Sequence, residues 1–325
     1  CMVLGCDYSI DAQECTVTLG IPSPKMQRTE DTEDSDGAYS GWLPNTTYNN
    51  TQMFIWLSAD VNLNLSGSDV STWIDRQNAF SFSNQAGNNN NYNTGAGSPS
   101  RSITASGFYF ARFVHGDHEF LATDYNSKMD LSGTDGICVA MLMRASADPI
   151  GDTDFSGGSY YKAPLINCGR SYQLHLLDSF SGSTYTNAIG YDNNSNTFHQ
   201  DNQIAPPDIN WKIVIYSSAD VGGYSGEEGL YVNGTRVNTS DFPPTNTDIS
   251  LSPNFRIGRD PDINYANQTQ QFNFAFGSFD LAELLTFSIP LHDAEREKVE
   301  GYIAHKYKLT ALLPASHPYK NTVPT

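Results

Sequence analysis

The chain has 325 residues, a length that suits one large β-sandwich with long loops or a sandwich with a small extra domain. It carries 36 acidic against 18 basic residues, a net charge of −18, and a surface this acidic repels the phosphate backbone of nucleic acids. Its sequence contains no run of about 20 apolar residues, which a membrane-spanning helix would need. We therefore expect no nucleic-acid binding and no membrane-spanning helix within this sequence.

Residues 1–51 are predicted to form an N-terminal arm that is separate from the main domain. Residues 15–21 (CTVTLGI) alternate as a strand does, and residues 29–36 (TEDTEDSD) form an acidic run of the kind found in solvated linkers. An isolated strand needs a partner, so we expect the arm to pair with a sheet edge of its own domain or of a neighbouring subunit. The arm would then serve assembly.

Residues 52–325 show the apolar runs and polar loops of an all-β domain. Residues 137–143 (ICVAMLM) are continuously apolar, as expected of a strand that is buried on both faces, and residues 211–216 (WKIVIY) alternate. Asn233 and Gly234 separate two short strands and predict a type I′ hairpin turn.

The end of the chain departs from this pattern and predicts one short helix. Val299, Ile303 and Tyr307 recur at helical spacing, and Glu295 lies early in the segment, where the helix dipole favours an anion. His292 is the predicted N-cap, with Glu295 as its capping-box partner. The apolar stripe should pack against the sandwich and make the helix part of the core.

Several segments, in this order along the chain, resemble the laminin-G-like members of the concanavalin A-like lectin/glucanase superfamily, in the form found in phage structural proteins and bacterial surface proteins. They are residues 54–60 (FIWLSAD), 70–75 (VSTWID), 113–121 (FVHGDHEFL), 230–234 (LYVNG), 255–258 (FRIG), 279–287 (FDLAELLTF) and the closing helix with its tail. The resemblance implies a concanavalin A-like jelly-roll sandwich over residues 52–325. It does not imply a ligand, because one fold of this kind supports many functions.

Cys138 and Cys168 lie on consecutive predicted strands and are a candidate disulfide pair. If the two strands pair antiparallel, the thiols come close enough to bridge. The alternative is two independent buried thiols, since free cysteine is among the most buried residue types.

Catalysis is not expected. Glucanases of the superfamily use carboxylates spaced as E-x-D-x-E on one strand, and retaining enzymes hold them about 5–5.5 Å apart. That pattern is absent here, and Asp280 and Glu283, on a predicted strand, have a spacing that puts them on opposite faces by period-two alternation. We therefore predict that the protein is not an enzyme.

Two groups of oxygen-bearing side chains are candidate metal ligands. Asp260, Asp262 and Asn264 form a D-x-D-x-N loop, which is the alternation that Ca²⁺ loops use, although an Asn/Asp turn explains the same residues. The second group is residues 117–119 (DHE) with Asp124, for which a tight turn is the stronger explanation.

Glycan binding is implied by the resemblance and by aromatic residues in polar loops. Sugars bind through aromatic faces and through polar side chains that reach hydroxyl groups. The candidate residues are Tyr92, Tyr160, Tyr161, Tyr185 and Tyr191. Aromatic residues also fill the core of any β-sandwich, and that alternative explains each of these residues taken singly.

The function that follows is a non-enzymatic structural or adhesion protein of a virion, as a capsid decoration or tail appendage, exposed on the particle or extracellular. Its expected partners are other virion subunits or its own copies, and host-surface glycans. One alternative is a secreted or lipid-anchored bacterial carbohydrate-binding protein, for which the first residue, Cys1, is the main clue. The other is a divergent glycan hydrolase.

Overall fold

A computed structural model describes most of the chain. It describes residues 2–9, 14–20, 39–49, 51–84, 97–124, 126–129, 136–146, 160–168, 172–181, 184–192, 198–200, 210–219, 229–237, 255–259 and 277–325. Only the backbone is described for residues 2–9, 14–20, 218–219 and for 160–200 apart from 165–167 and 174.

The chain divides into two compact units, Cys1–Tyr39 and Ser40–Thr325, and this division lies before the boundary predicted at residue 51. The first unit contains strands β1 (Met2–Ser9) and β2 (Glu14–Gly20), which pair antiparallel. The predicted arm strand therefore has β1 as its partner in the described residues. That the arm serves assembly stays a prediction.

The second unit is built from two antiparallel sheets. Its strands are β3 (Met53–Ser58), β4 (Leu63–Ser66), β5 (Asp69–Ile74), β6 (Ser81–Phe82), β7 (Ser100–Ile103), β8 (Tyr109–Phe113), β9 (Leu121–Thr123), β10 (Gly136–Ala145), β11 (Tyr160–Cys168), β12 (Tyr172–Ser181), β13 (Thr184–Asp192), β14 (Phe198–Gln200), β15 (Lys212–Ala219), β16 (Gly229–Val232), β17 (Thr235–Arg236), β18 (Phe255–Ile257) and β19 (Phe279–Phe287). The large sheet has the order β17-β16-β15-β10-β19-β8-β7-β5-β4, with β3 beside the second half of β19 and β6 beside β5. The smaller sheet has the order β14-β13-β12-β11-β18-β9.

The core lies between the two sheets. Trp73 and Met141 come from the large sheet, Ile166 and Phe255 come from the smaller one, and all four belong to one buried cluster. Burying such side chains is the main stabilising contribution to a fold of this kind. The predicted all-β sandwich is confirmed.

The one α-helix of the described residues, α1 (Asp293–Lys306), packs on the face of the large sheet that points away from this core. Val299, Ile303 and Tyr307 are buried, so the predicted stripe is confirmed. The amide of His292 donates to the carboxylate of Glu295 at 3.2 Å, as expected for a capping box. The described 3-10 turns are Pro44–Thr46, His115–Asp117, Ser127–Met129 and Thr310–Leu312.

The hairpin between β16 and β17 matches its prediction. Asn233 and Gly234 have φ angles of 53° and 77°, and a type I′ turn requires positive φ at both central residues.

Strand β19 contains a β-bulge that the sequence pattern does not show. Leu142 of β10 lies opposite Glu283, but the next residue, Met143, lies opposite Leu281, so Ala282 is the extra residue. Leu281 therefore faces the core, whereas Glu283 faces helix α1. Period-two alternation would place Leu281 and Glu283 on one face of β19, but the bulge reverses the alternation and separates them.

The strands that carry Cys138 and Cys168 do not pair with each other, although the candidate disulfide depended on that pairing. Strand β10 lies in the large sheet between β15 and β19, whereas β11 lies in the smaller sheet. Cys138 is a buried free thiol, and burial raises its pKa. The crossover between the two sheets separates the two cysteines although they are close in sequence.

Candidate functional site

The outer face of the large sheet, beyond the end of α1, carries a row of three charged residues. In the ladder, Asp280 of β19 lies opposite Arg112 of β8 on one side and Arg144 of β10 on the other. Arg112 donates from Nε to Oδ1 at 2.9 Å and from Nη2 to Oδ2 at 3.1 Å. Arg144 donates from Nε to Oδ2 at 2.6 Å. One carboxylate thus holds two guanidinium groups side by side.

Aromatic rings frame these arginines. The guanidinium carbon of Arg144 lies 5.0 Å from the ring centroid of Trp211 and 5.1 Å from that of Phe110. The corresponding distance from Arg112 to Phe110 is 5.3 Å. These are cation–π distances. We call Phe110, Arg112, Arg144, Trp211 and Asp280 the arginine patch.

The patch is accessible to solvent mainly through its two arginines. The side chain of Arg112 is 45 % exposed and that of Arg144 is 29 % exposed, whereas that of Asp280 is 9 % exposed. Trp211 is half-buried and Phe110 is buried. The hydrogen bond that Arg112 donates to Asp280 raises the pKa of Arg112, and arginine side chains in general are cationic at physiological pH. With one carboxylate between them, the patch carries one net positive charge.

A second charged group lies further along β19, under helix α1. Glu283 is completely buried, and its Oε1 accepts from Trp56 Nε1 at 2.7 Å and from the Tyr302 hydroxyl at 2.8 Å. Its Oε2 accepts from Lys306 Nζ at 2.9 Å and from the Tyr307 hydroxyl. Burial alone would raise the pKa of Glu283, but the Lys306 ammonium and these hydrogen bonds hold it below its usual value.

These contacts decide whether the two carboxylates can act as a catalytic pair. The expectation that Asp280 and Glu283 lie on opposite faces is wrong, because the bulge at Ala282 brings both to the outer face. Both carboxylates are nevertheless engaged by other side chains. Asp280 accepts hydrogen bonds from two arginines, and Glu283 accepts four hydrogen bonds and is completely buried. A general acid needs a proton to donate and a nucleophile needs an open lone pair, and this pair provides neither.

The predicted metal ligands are not assembled in the described structure. Asp260, Asp262 and Asn264 lie outside the described residues. Among the described residues, which include 117–119 and Asp124, no group of three or more acidic, histidine or cysteine side chains is placed so that it could hold a metal ion. The carboxylate of Glu119 instead accepts a hydrogen bond from the backbone amide of Val114 at 2.7 Å, and burial raises the pKa of Glu119 to about 7.

The predicted sugar-contacting tyrosines are described only by their backbone, and Tyr92 lies outside the described residues. Tyr160 and Tyr161, at the start of β11, lie opposite Ser179 and Asp178 of β12. Tyr185 on β13 lies opposite Phe180, the next position of β12, so these three tyrosine positions converge at one end of the smaller sheet. Tyr191 lies towards the other end of β13, opposite Leu174.

No pattern in the sequence predicts the arginine patch directly. Its members come from three strands and from Trp211, which directly precedes a fourth strand, and no local motif connects these distant segments. The sequence feature that could have indicated the patch is a charged residue within or directly after an apolar strand, as at Arg112, Arg144 and Asp280. Such residues are seldom buried unless paired, so their partners are worth seeking across the sheet.

Comparisons with known proteins identify no family. No protein-family model matches the chain, and no curated protein sequence matches it. Among the described residues, no helix has the length and apolar character needed to cross a membrane.

Solved structures of toxin binding domains align with the chain at low similarity. The binding domain of Paraclostridial Mosquitocidal Protein 1 is 11 % identical with a TM-score of 0.42, and the alignment covers 77 % of this chain and 52 % of that chain. Botulinum neurotoxin type C, whose cell entry depends on two ganglioside molecules, is 8 % identical with a TM-score of 0.46, covering 77 % and 51 %. The binding domain of serotype C1 is 9 % identical with a TM-score of 0.46, covering 78 % and 52 %. The chain spans about half the length of these toxin chains, and a likeness at this level carries no conclusion about its ligand.

Proposed function

We propose that this protein is a non-enzymatic, glycan-binding β-sandwich of the concanavalin A-like type, exposed on a virion or extracellular. The arginine patch is the observation that carries the binding part. A half-buried indole offers an apolar face to sugar C–H groups, and the adjacent charged side chains offer hydrogen bonds to hydroxyl groups. The patch lies on a rigid sheet, which keeps these groups in place without a ligand.

The proposed absence of turnover is supported by the way the two carboxylates of β19 are engaged. Asp280 and Glu283 are both engaged in ion pairs, and the sequence has no E-x-D-x-E strand. A site that holds a sugar with neither general acid nor nucleophile binds it unchanged.

The role as a capsid decoration or tail appendage is supported by the resemblance of the sequence segments and by the acidic, lysine-poor composition. Its partners would be other virion subunits or copies of itself, joined through the N-terminal arm. Deleting residues 1–39 should leave a folded, soluble protein that no longer assembles. Normal assembly of the truncated chain, measured by light scattering, would refute this role of the arm.

The location can be tested by fractionation. We expect the protein to co-purify with intact particles through a density gradient, at constant stoichiometry to the major capsid protein. Recovery with the cell envelope instead would favour a secreted or lipid-anchored bacterial carbohydrate-binding protein.

Two measurements together show whether the protein binds glycans and whether it also cleaves them. A glycan array should show binding, and incubation of the bound glycans should release no reducing ends. Trp211→Ala should abolish binding at the patch, whereas Tyr161→Ala and Tyr185→Ala test the smaller sheet. Circular dichroism melting checks that each variant folds. Glycan cleavage that a single carboxylate substitution abolishes would overturn the non-enzymatic assignment.

A calcium ion is proposed at Asp260, Asp262 and Asn264, because alternating carboxylate and amide oxygens suit this hard cation. Chelation should weaken glycan binding, added Ca²⁺ should restore it, and Asp262→Ala should mimic chelation. Binding that neither treatment changes would rule out a role for the metal.

A further inference from the structure

We propose that the arginine patch selects sugars that carry a carboxylate over neutral sugars. This inference rests on the proposed glycan-binding function and assigns the ligand class of that site. It is argued from the hydrogen-bonding capacity, the charge and the geometry of Arg112 and Arg144.

The two arginines have donors to spare. A guanidinium group has five N–H donors; Arg112 uses two of them on Asp280, and Arg144 uses one. Within the described part of the chain, the structure gives no other hydrogen bond to either group. The remaining N–H groups belong to side chains that are 45 % and 29 % exposed, so a ligand can reach them.

The charge balance favours an anion. Asp280 offsets one of the two guanidinium charges and leaves one positive charge uncompensated within the patch. A neutral sugar would form ordinary hydrogen bonds to these donors, whereas a carboxylate would form charge-assisted ones, which are roughly twice as strong. The chain as a whole is strongly acidic, with a net charge of −18, so an anionic sugar is attracted to the patch at short range only.

The geometry favours a planar carboxylate. Asp280 shows that these guanidinium groups accept a carboxylate at 2.6 to 3.1 Å, through a fork from Arg112 and a single bond from Arg144. The planar fork of arginine matches a second carboxylate through its outer edge in the same way. Trp211 lies beside Arg144 and would contact the sugar ring that bears the acid.

The test compares matched sugars on the full chain by isothermal titration calorimetry. The probes are trigalacturonate against its methyl ester, sialyllactose against lactose, and a sulfated galactose trimer. We expect each carboxylated sugar to bind about tenfold tighter than its neutral partner, and the difference to shrink as salt rises from 50 to 500 mM.

Variants locate the effect. Arg144→Gln should remove the preference for the acid while retaining weak binding of the neutral sugar, and Arg144→Lys should restore only part of it, because lysine lacks the fork. Arg101→Gln is the matched control, since Arg101 is an exposed arginine of β7 outside the patch, and it should leave the preference intact. On the unaltered protein, the indole N–H resonance of Trp211 should shift more with trigalacturonate than with its ester, which tests the site without any substitution.

The outcomes separate this inference from the function on which it rests. Equal affinity for acidic and neutral sugars would overturn the inference and leave the glycan-binding function standing. Binding of none of the sugars on a broad array would overturn both. Tighter binding of the sulfated trimer than of trigalacturonate, or a preference that survives in Arg144→Gln, would also overturn the inference.

Discussion

Asp280 and Glu283 lie on the same face of β19 although they are three residues apart, because the bulge at Ala282 reverses the alternation between them. Asp280 holds the two arginines of the patch, and Glu283 holds helix α1 through Lys306. Phe108 connects the two groups, since its ring lies 5.1 Å from Trp211 and 5.0 Å from Tyr307. The bulge therefore joins the helix that closes the fold to the surface that we propose for binding.

Lys306→Met should destabilise the protein strongly. The side chain of Lys306 is 1 % exposed, and methionine of similar length would leave the Glu283 carboxylate buried without its cation. Removing one partner of a buried ion pair costs about 3–5 kcal/mol. Urea denaturation at pH 8 measures the loss in the free energy of unfolding.

A double variant shows whether the unpaired charge causes that loss. Glu283→Gln combined with Lys306→Met removes both charges, keeps an acceptor oxygen for Trp56 and Tyr302, and places an amide N–H group that can donate to the Tyr307 hydroxyl. It should be more stable than Lys306→Met alone at pH 8. If the double variant is as unstable as the single one, lost packing and not the buried charge is responsible.

Ile303→Asp should unfold the domain or weaken it by at least about 4 kcal/mol, because it buries an unpaired charge between α1 and the sheet. Ile303 has no exposed surface. The matched control is Ala294→Asp, at an exposed site in the first turn of the same helix, where the dipole favours an anion. An unchanged melting temperature for Ile303→Asp would show that α1 is not part of the core.

The strands, the hairpin turn and the helix were predictable from sequence where a single short segment determines the element. The apolar runs around residues 137–143 and 211–216 form strands, Asn233 and Gly234 form the turn, and the stripe on α1 is buried. Each of these depends on local side-chain periodicity or on the φ preference of one or two residues. Long-range register was not predictable in this way. The bulge at Ala282 and the placement of β10 and β11 in different sheets depend on partners elsewhere in the chain.

The candidate site was missed for the same reason. Arg112, Arg144 and Asp280 are separated by whole strands in sequence and become neighbours only through the order β8, β19, β10. The predicted tyrosines were chosen for their polar loops, but Tyr160, Tyr161, Tyr185 and Tyr191 are all strand residues. Composition alone does not distinguish a loop from a polar strand of the smaller sheet.

Glu119→Gln should stabilise the protein at pH 8 and lose this advantage at pH 4. Burial raises the pKa of Glu119 to about 7, against about 4.3 in an unfolded chain. Between these values the folded protein binds a proton that the unfolded chain does not, so the stability of the unaltered protein falls as pH rises. Glutamine does not titrate and still accepts the Val114 amide.

We expect a gain on the order of 1–2 kcal/mol at pH 8 for Glu119→Gln. Thermal melts from pH 4 to pH 8 measure it, with Asp124→Asn, at an exposed site, as the control. A constant difference across this range would mean that Glu119 does not titrate with a raised pKa.

Gly234→Ala should cost clearly more stability than Gly67→Ala, although both glycines have positive φ, 77° and 70°. A side chain at such an angle costs roughly 1–2 kcal/mol by itself, and both variants share that cost. A Cβ at Gly67 would meet nothing within 4 Å, whereas one at Gly234 would lie 2.9 Å from Pro314 Cδ and 3.0 Å from His317 Cδ2.

The excess loss for Gly234→Ala, about 1–3 kcal/mol for such overpacking, therefore measures how tightly the chain end is docked on the hairpin. Urea denaturation gives the two losses, and limited trypsin digestion should cleave after Lys320 faster in Gly234→Ala only. Equal losses in the two variants would show that the tail yields easily and contributes little to the fold.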